Sequence, residues 1–399
     1  MPNYKKTKLA CYLGFITQAI VANFTPLLFL TFHNDYHISL GKISLIPVCF
    51  YFMQLLIDLF CAKWVDKIGY RICIVISEVF SAAGLIGLAI LPDLLSSPFA
   101  GIMISVIIYS VGSGLIEVLC SPIIEACPFE NKDAAMSLLH SFYCWGFVGT
   151  ILLSTLFFSI FGIGGWKWLS VLWALIPAIN IYNFATCPIE PLVEETESMG
   201  IKSLAKKPLF WLAVCLMICS AASELSMAQW ASAYAEAALG LSKTVGDLAG
   251  PCMFAVMMGI SRTIYGKYGD RLDLMKFMTG SGLLCVGCYL LASLSSSPVL
   301  GLIGCIVCGF SVGIMWPGAL SLSSQKFPSG GTALFALLAM AGDLGGSIGP
   351  GIVGQVSQAA GDNIRAGLRV GLIFPVVLLV ILFILGSQGK KTKKESRLQ

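Results

Sequence analysis

The chain has 399 residues, of which 57% are hydrophobic and only 12% charged, against roughly 45–50% and about 25% in soluble proteins. That balance excludes an ordinary soluble domain, and the net charge of +4 reflects which side of a bilayer the basic loops occupy rather than a nucleic-acid partner. No phosphate-binding glycine loop, dinucleotide fingerprint or hydrolase elbow occurs, so soluble catalysis, a drive by bound ATP and a resident cofactor are not expected.

Apolar runs of about 20 residues or more recur, each long enough to cross roughly 30 Å of hydrocarbon. Hydropathy places twelve spans near 9–32, 42–63, 72–93, 99–126, 134–161, 166–187, 209–238, 244–265, 275–294, 298–325, 332–358 and 368–387. Lys5, Lys6 and Lys8 precede a first run that is too long for a signal-peptide core, so it is expected to remain as a helix. Its polar groups available to a solute are Gln18 and Asn23. Span 2 carries Asp58 and ends on Ala62-Lys-Trp-Val-Asp66-Lys67-Ile-Gly69, with Arg71 opening span 3. At such helix ends a carboxylate pairs with a base or meets the N-terminus of a neighbouring helix.

Gly112 to Gly146 concentrates the ionisable groups. Glu117, Ser121 and Glu125 follow i, i+4, i+8 and share one face of span 4. Glu117 lies eleven residues before Pro128, about 16 Å from that helix end and close to the midplane. Ionisable groups at that depth are costly and mark solute or ion pathways. Glu117 is read first as an ion-coupling carboxylate, with solute contact or a structural hydrogen bond as alternatives. Glu125, nearer the interface, suits a gate or an ion pair with Lys67 or Arg71. Span 5 aligns Ser137, His140, Tyr143, Cys144 and Phe147. His140 is a solute-binding candidate or a satisfied hydrogen-bonding group. Tyr143 and Trp145 offer flat faces with polar edges, or plain packing.

Residues 188–208 form the one long connector, with Glu190, Glu194, Glu195 and Glu197 ahead of Lys202, Lys206 and Lys207 and a short amphipathic helix expected over Ile201 to Ala205. The expected organisation is a six-helix bundle over 1–187, this linker, and a second bundle with a basic tail over 209–399. Span 7 offers Glu224 as a second coupling carboxylate, with Gln229 and Trp230 as solute contacts. Span 8 carries Arg262 and closes on Gly266-Lys-Tyr-Gly-Asp270-Arg271. Cys285-x-x-Cys288 and Cys305-x-x-Cys308 lie inside spans without a carboxylate or histidine nearby, so free thiols rather than a metal site are expected. Trp316 in span 10 and Asp343 in the glycine-rich span 11 complete the solute candidates. Lys and Arg gather on the side of both termini and the linker, which predicts that these are cytoplasmic and the protein a multi-pass component of the cell membrane.

The halves repeat. Asp66 returns 204 residues later as Asp270, and Pro47 as Pro251; Gly114 and Gly146 return 199 residues later as Gly313 and Gly345. Parallel six-helix repeats joined by a linker are one way transporters are built. Small-x-x-x-Asp-Arg/Lys after spans 2 and 8 resembles the signature loop of the major facilitator superfamily. The resemblance implies an all-α major facilitator fold of twelve transmembrane helices, and a gating role for Asp66, Lys67, Arg71, Asp270 and Arg271; Asp58 and Arg262, at equivalent positions in the two halves, are expected to join them by depth, with solute contact as the alternative, as is Glu125 near the interface. Gly112-x-Gly114-x-x-Glu117 with Pro122, then His140-x-Phe142-Tyr143 and Trp145-Gly146, is similar to the fucose permease-like sugar/proton symporter branch. That branch has an acid in span 1 and two amides in span 5; here Gln18 and Asn23 are the polar groups available in span 1, and His140 and Tyr143 replace the amides of span 5. The expectation is proton-coupled uptake of a small polar solute, a sugar first, by a chain that works as a monomer, with sodium as the alternative ion. A proton-driven exporter of amphipathic compounds and a transporter-like nutrient receptor are the competing readings.

Overall fold

In a computed structural model, residues 4–38, 42, 45–190, 199–239, 248–361 and 363–395 are described, and their regular structure is helical throughout. Glu194, Glu195 and Glu197 of the linker lie outside them. The α-helices are α1 (Tyr4–Asn23), α2 (Phe29–Tyr36), α3 (Leu45–Ile68), α4 (Tyr70–Leu94), α5 (Pro98–Ala126), α6 (Lys132–Phe161), α7 (Trp166–Thr186), α8 (Ile201–Ala205) and α9 (Pro208–Leu239). They continue as α10 (Met253–Tyr268), α11 (Leu274–Leu294), α12 (Pro298–Val312), α13 (Met315–Lys326), α14 (Gly331–Ala359), α15 (Ile364–Gly371) and α16 (Ile373–Glu395).

Among the described residues, 10 stretches are long and apolar enough to cross a membrane. The two other expected spans are present as helices. α3 has 24 residues, about 36 Å at 1.5 Å per residue, and α10 has 16 residues preceded by a π-helical turn, Leu248–Cys252. Three expected single spans are broken. The first gives way to a 3-10 turn, Thr25–Leu28, at Pro26; the tenth breaks between α12 and α13, just before Pro317; the twelfth divides at Leu372. Proline lacks the N–H that continues a helix, which accounts for the first two. Large side chains such as Phe161, Trp168, Tyr182 and Phe383 are exposed, as a lipid-facing surface requires and an aqueous one resists.

The chain packs as two units. One comprises Met1–Glu130, Phe142–Ile201 and Pro328–Ala339; the other comprises Asn131–Ser141, Lys202–Phe327 and Met340–Gln399. In the first, α4 packs along α5 and α7, while α1 packs on α5 and α7, and α3 on α5. The α4–α5 contact is close because small residues line it: a Cβ at Gly84 would stand 2.6 Å from the Tyr109 backbone nitrogen. Ile20, Phe24, Phe32, Tyr109 and Trp166 belong to the apolar core at one end of this unit. Gly69, with φ 101°, makes the left-handed turn from α3 into α4. In the second unit, α12 packs on α9, α10 and α11, and α16 on α9 and α11.

The repeat read from sequence is a repeat of contacts. A Cβ at Gly114 of α5 would meet Ile57 at 3.0 Å and Gln54 at 3.5 Å, whereas one at Gly313 would meet Ser261 at 2.7 Å and Met258 at 2.9 Å. Ile57 and Gln54 return as Ser261 and Met258 at the same 204-residue offset that carries Asp66 to Asp270. Likewise Gly146 meets Ala19 and Gly345 meets Ile218, and Ala19 returns as Ile218 at the 199-residue offset.

Candidate functional site

In the first unit α1, α3 and α5 converge on Glu117. Gln18 Nε2 donates to its Oε2 at 2.9 Å and Gln54 Nε2 donates to the same oxygen at 2.7 Å. Gln54 also lies 3.4 Å from Ser113 Oγ, one turn earlier on α5. The close packing of Gly114 on α3 brings Gln54 within reach. Glu117 is half-buried and both amides are buried, so two neutral donors hold one carboxylate oxygen in a largely dry setting, where hydrogen bonds to a charged group are strong. Asp58, one turn beyond Gln54 on α3, is buried as well. Asn23 Nδ2 donates to the Ala19 carbonyl of its own helix at 2.8 Å, and its side chain neighbours the Tyr143 hydroxyl, which also faces Glu117. Trp145 is exposed, on another face of α6 from Tyr143.

The second unit contains a buried ion pair. Arg262 Nη2 donates to Glu224 Oε2 at 3.1 Å, with side chains only 4% and 13% exposed. Arg262 Nε donates to the Gly313 carbonyl at 2.8 Å and Nη1 to the His140 carbonyl at 3.3 Å, while Ser137 Oγ donates to the Arg262 carbonyl at 2.8 Å. Pro317 explains the Gly313 contact. It has no N–H for the carbonyl four residues back, and the guanidinium takes that carbonyl instead. Arg262, expected among the gating residues, is thus bound to the expected coupling carboxylate Glu224. His140 is buried.

The remaining solute candidates of this unit are packed in differing degrees. Trp316 is half-buried, its ring against Gly342, where a Cβ would stand 2.6 Å from Cζ3. Trp230 Nε1 donates to the Pro350 carbonyl at 3.2 Å, so its polar edge is already used. Asp343 is half-buried on α14, and Gln229 lies in α9 outside the described side chains. Cys285 Sγ and Cys308 Sγ are 3.9 Å apart, both free thiols.

The two loop aspartates are bound in matching ways. Thr332 Oγ1, in the first turn of α14, donates to Asp66 Oδ1 at 2.6 Å and is also hydrogen-bonded to the Tyr70 hydroxyl. Asn131 Nδ2 donates to Asp270 Oδ1 at 2.8 Å while its Oδ1 caps α6 by accepting from Ala134 N at 2.8 Å. Each aspartate therefore sits at the N-terminus of a long helix, the end that attracts negative charge. The bases behave otherwise. Arg71, expected to offset Asp66 or Glu125, donates through Nη1 to the Phe184 and Ala185 carbonyls at 2.9 Å each and caps the C-terminus of α7. Lys67 lies over the Trp64 ring, and Lys67, Arg71 and Arg271 are exposed. Glu125 is buried near the end of α5.

Two residues were missed in the sequence. Gln54 holds the central carboxylate, yet an amide in an apolar helix gives no signal until its partner is known. Glu78 of α4 is fully buried, and its Oε1 accepts from Asn180 Nδ2 at 2.8 Å. A carboxylate within the apolar run of span 3 carries the same signal that singled out Glu117.

Residues 10–350 match the profile of the Major Facilitator Superfamily. No curated protein sequence matches the chain. Among solved structures, the E. coli fucose:proton symporter FucP is similar with a TM-score of 0.81 at 17% identity over 95% of this chain and 98% of that one. The proton:xylose symporter XylE is similar with a TM-score of 0.77 at 13% identity over 95% of each chain. The human organic anion transporter MFSD10 gives 0.75 at 15% identity over 96% of this chain and 100% of that one. At these identities the likeness is one of fold.

Proposed function

The chain belongs to the Major Facilitator Superfamily, so it is a multi-pass membrane transporter and not an enzyme, and on that premise we propose that it couples uptake of a small polar solute, a sugar, to proton movement by alternating access. The observation that carries this reading is the pair of amides, Gln18 and Gln54, on one oxygen of Glu117. Both donate, which suits an ionised carboxylate. When Glu117 takes a proton it needs fewer donors, and amide groups are released to solute hydroxyls. Proton and solute then favour the same arrangement of α1, α3 and α5, and two ligands that bias one equilibrium are coupled. Tyr143 faces this carboxylate and Asn23 neighbours the Tyr143 hydroxyl; Trp316 is a half-buried aromatic of the second unit. Glu224 with Arg262 is the second charge-bearing pair, and the two loop aspartates act as gates at helix N-termini. The reading places both termini and the linker in the cytoplasm, the two repeats at 1–187 and 209–399, and a monomer as the working form.

Purified protein in liposomes tests it. Glu117→Gln abolishes accumulation driven by a pH gradient and leaves solute counterflow intact; pH-driven accumulation by the variant overturns the coupling role. A thermal-shift screen of sugars, polyols, nucleosides and cationic drugs identifies the solute, since a ligand at 100 times its Kd stabilises by about 2.7 kcal/mol. Stabilisation by cationic or amphipathic compounds alone replaces the sugar reading with the exporter, which the packed indoles Trp230 and Trp316 favour.

A further inference from the structure

Glu78 has no place in the scheme above, yet its surroundings tie it to Glu117. The carboxyl is fully buried where α1, α5 and α7 meet α4. Asn180 Nδ2 of α7 donates both to Glu78 Oε1 at 2.8 Å and to the Ala10 carbonyl of α1 at 2.9 Å. Asn180 is itself oriented by Asn183, whose Nδ2 donates to its Oδ1 at 3.2 Å. The Thr17 hydroxyl of α1, also buried, is the other polar group beside the carboxyl. The groups acting on the Glu78 carboxyl are the neutral Asn180 amide and Thr17 hydroxyl, with no Lys or Arg among them. A buried carboxylate so placed is expensive to keep charged, and nothing in the packing of four helices requires one there.

The position along α1 supplies the connection. A Cβ at Gly14 would lie 3.5 Å from Glu78 Oε1, 3.6 Å from Ile116 and 3.1 Å from Cys120 Sγ. Ile116 and Cys120 flank Glu117 on α5, at one residue before and three after. Gly14 and Gln18 are i and i+4, on one face of α1. Along that face the contact with Glu78 and the amide on Glu117 are a single turn apart, about 6 Å. The depths agree: Glu78 is eight residues from the Tyr70 end of α4 and Glu117 nine from the Ala126 end of α5, roughly 12 and 14 Å. The titratable groups facing Glu78 are Cys11 from α1 and Cys120 from α5, while α7 presents the Asn180 amide. Beside Glu117 stand the Tyr143 hydroxyl of α6 and the neutral amides of α1 and α3, with the buried Asp58 carboxyl one turn beyond Gln54 on α3.

We propose that Glu78 is a second proton-exchanging carboxyl of the coupling site, linked to Glu117 across the Gly14–Gln18 face of α1. Two carboxyls that contact one face of the same helix a turn apart, in a dry interior, do not ionise independently. Loss of a proton from one raises the cost of losing it from the other, so the pair titrates in two joined steps, and α1, which touches both, moves with the charge. This inference rests on the coupling role of Glu117 for its functional meaning but not for its test.

Infrared difference spectra of the carboxyl stretch, recorded on the full-length protein in liposomes as pH is stepped, need no solute. The variants are Glu117→Gln, Glu78→Gln and the double substitution. Glu78→Gln keeps an acceptor for Asn180, so the packing is preserved. The expected result is that each single variant loses one titrating band and displaces the band that remains by about one pH unit, a tenfold change in proton affinity. Asn180→Ala is a second arm that leaves the carboxyl in place and removes its donor; it shifts both steps together. A Glu78→Gln spectrum identical to the unsubstituted protein, or a Glu117 step unmoved by Glu78→Gln and Asn180→Ala, overturns the proposal. Absence of any change in Glu117→Gln removes the coupling role of Glu117 and with it the linked pair, whereas two titrating bands that do not displace each other overturn the linkage alone.

Discussion

Arg262 donates through all three of its nitrogens, to Glu224, Gly313 and His140, and without it the buried Glu224 charge and the Gly313 carbonyl freed by Pro317 lose their donor. Breaking a buried ion pair from one side leaves an uncompensated charge and costs about 3–5 kcal/mol. Arg262→Leu is therefore expected to destabilise by that amount in a detergent thermal melt. Glu224→Leu in the same chain removes the stranded charge and recovers most of the loss, leaving the Gly313 carbonyl without its donor at about 1–3 kcal/mol. A double variant no more stable than the single one would show that the pair is not the source. Part of this was legible in the sequence. Glu117 and Glu224 stood out as acids in apolar runs, whereas the carbonyl that Pro317 frees at Gly313 went unread. What claims that carbonyl was not legible, because the guanidinium arrives from a helix more than 50 residues away and pairing across helices leaves no periodic trace. Arg71 shows the same limit: its charge pointed to a carboxylate, and the carbonyls at the end of α7 took it.

Helix spacing is set by where side chains are absent. At Gly84 any Cβ would meet Tyr109 backbone at 2.6 Å, whereas at Gly287 in α11 nothing lies within 4 Å. A backbone contact cannot rotate away, so Gly84→Ala forces α4 and α5 apart. Its expected cost is about 1–3 kcal/mol, the range for overpacking. Gly287→Ala meets only open space and gains at most about 1 kcal/mol of helix propensity. Melting temperatures of the two variants in one detergent check the contrast; equal shifts would mean that the α4–α5 approach does not limit stability. Element types and the repeat were readable because apolar run length and recurring glycines report them directly, and the short α8 falls where the linker pattern put it. The breaks after α1 and α12 were marked by Pro26 and Pro317 but read through as single spans, since hydropathy averages over the few residues where a helix stops.

At the scale of the whole chain, the two loop aspartates raise a question of cooperativity. In the first unit Asp66 holds Thr332 at the start of α14; in the second Asp270 holds Asn131 at the start of α6. The two sites are copies under the internal repeat, and in each the held residue comes from the opposite half of the sequence. The first turns of α6 and α14 accordingly pack with the half of the chain to which they do not belong by sequence. A transporter that alternates between two states releases such contacts together, because a state with one held and one free satisfies neither arrangement. Independent fasteners would behave differently, each fraying alone. Hydrogen–deuterium exchange separates the cases, since local opening is read segment by segment. Asp270→Ala removes the acceptor of Asn131 and is expected to speed amide exchange in residues 131–141 by about fivefold, close to 1 kcal/mol of opening free energy. If release is concerted, residues 328–339 accelerate by a similar factor although their own contact with Asp66 is untouched. Acceleration confined to 131–141 would show that the two aspartates hold separate joints, and that the internal symmetry of the chain is one of contacts and not of motion.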